Sequence, residues 1–77
     1  MNVSHYIIQA LQKKAESEKS QALASLEILT HNAVGIGEHT TEGLFFDAEK
    51  ALEMLANAEG KLEMINKYLN GKEVLHG

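Results

Sequence analysis

A single glycine-marked break, Val34-Gly35-Ile36-Gly37-Glu38-His39, divides this 77-residue chain into two stretches of similar length. Each stretch carries apolar residues at helical spacing. No proline occurs anywhere, so neither has an internal helix stop of that kind. Two long helices joined by about six residues should lie antiparallel as an αα-hairpin. The fold class expected is therefore all-α, in one domain covering 1–77: a helix over 4–33, a turn over 34–40, a helix over 41–70 and a tail over 71–77.

Ser4 is the expected N-cap of the first helix, since its hydroxyl can accept a hydrogen bond from an orphan amide of the first turn. Apolar residues follow at Ile7, Ile8, Leu11, Ala15, Ala22, Leu26, Leu29 and Ala33. With Ile8 at heptad position a, that series reads Ile8, Ala15, Ala22 and Leu29, and the d series Leu11, Glu18 and Ser25. The seam is thus weak in its middle. Residues 13–21 are polar apart from Ala15 and are expected to bury little. In the turn, Gly35 suits a left-handed helix end and Ile36 can fold back on the last helical turn. Gly37 adds a second permissive position, and His39 is expected to brace or cap the loop.

Thr40 or Thr41 can cap the second helix, with Glu42 in the first turn where the macrodipole favours an acid. With Phe45 at a, the d series is Ala48, Leu55, Leu62 and Leu69 without a polar break. The neighbouring g series adds Leu44, Ala51, Ala58 and Ile65, while a itself runs Phe45, Leu52, Glu59 and Asn66. Gly60 costs about 1 kcal/mol relative to alanine inside a helix. It marks either a close approach of another helix or a tolerated weak point. Folding the chain at Gly37 pairs Ala22 with Leu52, Leu26 with Ala48 and Leu29 with Phe45, small against large. Asn70-Gly71 is the expected stop.

A hairpin has one seam, and several bulky apolar residues fall off it: Leu23, Phe46, Met54, Met64 and Tyr68. Cysteine is absent, so no disulfide or zinc-thiolate site can enlarge the core. Association is the remaining route for so small a chain. These five residues are the expected interface, and the chain is its own expected partner, as a homodimer or higher homo-oligomer. Two hairpins closing into a four-helix bundle is the simplest solution.

Other chemistry is weakly represented. The seven basic residues are all lysine and the net charge is −4, which disfavours nucleic acid as a partner. No run approaches the ~18 apolar residues of a membrane span, and the N-terminus lacks the basic region of a secretory signal. A soluble, cytoplasmic chain with no membrane partner is the expectation. His31, Glu38, His39 and Glu42 form the most ligand-like group, yet no Glu-x-x-His pair occurs on either helix. Neither metal nor other cofactor is expected. Gly35-Ile36-Gly37 lacks the preceding strand, third glycine and loop lysine of a phosphate-binding loop. The serines sit on or beside the first helix, away from any strand-to-helix elbow, so no catalytic residue is assigned and no enzyme is expected. Glu18 and Glu59 stand at seam positions, where they can reach outward or tune register. Residues 35–77 carry eight acids against four lysines, a balance that serves solubility or a basic partner surface.

The segment Val34-Gly35-Ile36-Gly37-Glu38-His39, with Ala22 to Leu29 before it and Ala56 to Leu69 after it, resembles a family of small uncharacterised tailed-phage proteins. The likeness spans roughly residues 10–69. It implies a helical hairpin of phage origin, acting in the host cytoplasm, and carries no catalytic role. The reading reached is a small self-associating accessory or interaction protein. Its alternatives are an inhibitor that binds a host protein and, behind it, a metal-binding protein using the hairpin-tip histidines and glutamates.

Overall fold

The computed structural model describes residues 3–32 and 41–70. Helix α1 spans Val3–Asn32, helix α2 spans Thr41–Met64, and α2 runs on into one π-helical turn, Ile65–Leu69. α1 and α2 pack against each other, and the π turn also touches α1. The described residues are all helical apart from Asn70, whose extended backbone ends the second helix. The turn assignments to Gly35, Ile36, Gly37 and His39, and the tail from Gly71, lie outside the described residues.

Local chemistry explains both helices. α1 is built largely from good helix formers, and side chains four apart support it. Gln12 donates to Glu16 at 3.3 Å, Gln21 donates to Ser17 at 3.3 Å, and Lys14 stands 3.9 Å from Glu18. Near its end the Thr30 hydroxyl donates back to the Leu26 carbonyl at 2.7 Å. His31 Nδ1 stands 3.2 Å from the Glu27 carbonyl oxygen, in the last turn where a basic group complements the helix dipole. α2 places Glu42 in its first turn, as expected. Ser4 is already helical, because α1 begins at Val3, so its expected role as the residue before the helix is corrected. Thr41 is the first helical residue of α2, and Thr40, the other expected cap, lies outside the described residues.

The seam keeps the a series of the first helix and the d and g series of the second, but takes in Gln12, Lys19 and Leu26 in place of the d row of α1 and leaves out the a row of α2. Its buried residues are Ala15, Ala22, Ala51, Ala58 and Ile65. Ile8, Gln12, Lys19, Leu26, Leu29, Leu44, Ala48, Leu55 and Leu62 are half-buried around them. Phe45 and Leu52, expected at the interface of the two helices, are 77% and 56% exposed. The pairings of Ala22 with Leu52 and Leu29 with Phe45 are therefore overturned. The physical reason lies further down α2. A seam through Phe45 and Leu52 would bury Glu59 and Asn66 in the same row. The row Leu44, Ala48, Ala51, Leu55, Ala58, Leu62, Ile65 is apolar throughout. On α1 the seam passes through Gln12 and Lys19, leaving Leu11 on the outside at 48% exposure.

Lys19 tolerates a seam position because its stem packs while its ammonium reaches water, where it meets Glu59 at 2.9 Å. On the other flank Lys61 donates to Glu18 at 3.3 Å. Glu18 and Glu59 thus reach out of the seam and bind the two helices to each other. The polar middle of α1 is not a gap, since Ala15 at its heart is 1% exposed.

The last turn departs from α-geometry. The Asn70 amide donates to the Ile65 carbonyl at 2.9 Å, five residues back, and the Asn70 and Asn66 side chains are hydrogen-bonded. A π turn carries more residues per turn than an α-turn, so residues beyond Ile65 swing off the seam. Leu69, a seam residue by spacing, is accordingly exposed.

Candidate interaction surface

Burying a methyl contributes about 0.8 kcal/mol, and four of the five buried residues offer only that. Among the described residues thirteen large apolar side chains stand exposed around this narrow interior, all five residues expected at an interface among them. The fold separates these five. Met54 and Met64 lie on one broad face of the hairpin, where each lines a groove, and Tyr68 follows Met64 by one turn. Leu23 lies across the seam from that face, at the same flank of the hairpin as Leu52. Phe46 points away from α1, on the back of α2.

Two of the aromatics are partly covered by their own helix. The Lys50 ammonium stands 5.3 Å from the centroid of the Phe46 ring, and Lys67 stands 5.4 Å from that of Tyr68. Exposed contacts of this type contribute about 0.5–1 kcal/mol. Phe46 is therefore the least demanding of the five for an external partner.

The face bearing Met54 and Met64 is indented along its length. At the end near the chain termini a groove of about 430 Å³ is lined by Leu11, Gly60, Lys61, Met64 and Ile65. Midway, a second of about 330 Å³ runs between Glu18, Lys50, Met54 and Lys61. A third of about 320 Å³ lies between Ser25, Ile28, Leu29, Asp47 and Ala51. Leu11 and Ile28 were not singled out in the sequence as interface residues. Leu11 was hidden by its d position, which put it in the seam, and Ile28 falls on neither the a nor the d series of α1.

Among the described residues no group of three or more His, Asp or Glu side chains is placed to hold a metal. Of the tip cluster, His31 and Glu42 are described, while Glu38 and His39 lie outside the described residues. No described helix is long and apolar enough to cross a membrane. Compared with protein-family models, curated proteins and solved structures, the chain matches none of them.

Proposed function

We propose that this chain is a self-associating helical hairpin, a small accessory protein that acts through its surfaces and not through chemistry at a site. The observation that carries this reading is the imbalance between interior and exterior. The seam fully buries only four alanines and Ile65 and half-buries its leucines, while Leu11, Leu23, Met54, Met64 and Tyr68 remain exposed. A single core in a chain below ~70–80 residues rarely supplies more than about 3–5 kcal/mol. This seam falls at the low end of such cores. Covering the outer side chains is worth about 1.5–3 kcal/mol for each one fully buried. If the phage resemblance of the central turn reflects origin, the module acts in a host cytoplasm.

The test is thermal unfolding followed by circular dichroism over a hundredfold range of protein concentration. Folding coupled to association raises the midpoint as concentration rises. A midpoint independent of concentration contradicts the proposal.

A further inference from the structure

We propose that a second copy of this chain covers the grooved face bearing Leu11, Met54 and Met64, about a two-fold axis running along the hairpin. Helix α1 of each copy then lies against α2 of the other. The inference rests on the self-association proposed above and adds which face is used and how the copies are oriented.

Three observations select the occupant and the arrangement. The charges of the grooved face are self-complementary, since Glu18 and Lys61 stand 3.3 Å apart at its middle and a second copy presents the same pair in reverse order. The molecule measures 54 × 23 × 15 Å, so its broad face exceeds the ~800 Å² per partner of a standard interface. Both faces mix apolar and charged side chains, the opposite one setting Phe45 and Leu52 beside Glu59 and Asn66, and the grooves that run past Leu11, Met54, Met64 and Ile28 select the first.

The distribution along the grooved face fixes the direction. Leu11 and Met64 share one level near the termini. Glu18 and Lys61 share the middle, 3.3 Å apart. Ser25, Ile28 and Asp47 share the level toward the tip. An axis along the hairpin sets each level against its own equivalent. Leu11 of one copy meets Met64 of the other, and Glu18 meets Lys61. The four central charges then alternate in sign around a closed ring, and every neighbouring helix is antiparallel, as in up-down bundles. A copy turned end for end would place α1 against α1 and α2 against α2, setting Glu18 against Glu18 and Lys61 against Lys61 at the middle level, like charge against like.

The chain has no cysteine, so single Lys13→Cys, Ser20→Cys and Glu27→Cys variants can each carry one spin label. These exposed positions lie one heptad apart on the side of α1 away from the grooved face. The expected dipolar distance between copies is the same at all three positions to within a few ångströms. A copy turned end for end makes the distance change along the series by up to twice the ~1.5 Å rise per residue, and that result overturns the proposal. For the choice of face, Met54→Glu is expected to weaken the dimer at least about tenfold, while Leu52→Glu leaves it intact. The reverse ranking overturns the face and leaves self-association standing. An unlabelled chain that stays monomeric removes both.

Discussion

Ala15 and Ala22 on one helix and Ala51 and Ala58 on the other fill the seam with single methyl groups. Small residues there let the helices approach toward the short end of the ~8–10 Å range of interaxial distances. A larger side chain at the same point has nowhere to go. Ala22→Leu or Ala58→Leu is expected to destabilise the hairpin by about 1–3 kcal/mol, the usual cost of overpacking, as measured by urea unfolding. Gly60 behaves oppositely. A Cβ built there meets nothing within 4 Å, so the close-approach reading of this glycine does not hold within the hairpin. Gly60→Ala is expected to raise stability by about 0.5–1 kcal/mol. A loss of stability would mean that something outside the single chain presses on that position. The sequence raised both readings of Gly60 and contained nothing to choose between them, because the choice depends on which way the helix is rotated.

That rotation is also what separates the legible from the illegible among the elements. Both helices were readable from spacing and composition: α1 spans Val3–Asn32, and the second helix runs through its π turn to Leu69. Which side of α2 faces α1 was not readable from the apolar residues alone, since α2 carries apolar residues on several sides. Phe45 with Leu52, Leu44 with Ala51, and Met54 all mark separate stripes. The deciding residues are polar: Glu59 and Asn66 exclude the first stripe. The π turn left no mark in the sequence at all, and so the exposure of Leu69 was not foreseen. Two cross-helix ion pairs, Lys19 with Glu59 and Lys61 with Glu18, hold the register that results. Each is solvent-exposed enough to be worth only about 0.2–1 kcal/mol. Lys19→Glu is accordingly expected to lower stability by up to about 1 kcal/mol, and the doubly reversed Lys19→Glu, Glu59→Lys chain to regain most of it. Raising the salt should shrink the difference between them. A single variant as stable as the parent would show that the pair contributes nothing to register.

At the scale of the whole molecule the governing fact is where the large apolar side chains sit. Leu11, Met54, Met64 and Ile28 stand on the grooved face, Leu23, Phe45 and Leu52 on the other, and the leucines of the seam between them are only half-buried around four buried alanines and Ile65. The five residues expected at an interface follow from the sequence by exclusion, as bulky residues with no place in a seam, and all five are exposed on the single chain. How they divide between faces depends on the rotation of α2, so exclusion could not supply it. If association completes the interior, its loss should be felt by the whole fold, and dilution should unfold the chain as well as separate the copies. Sedimentation equilibrium of the unmodified chain across micromolar concentrations tests this most directly. The account predicts a mass of twice the 8.5 kDa chain, falling on dilution together with helicity. A folded species of 8.5 kDa that keeps its helicity at every concentration would contradict it.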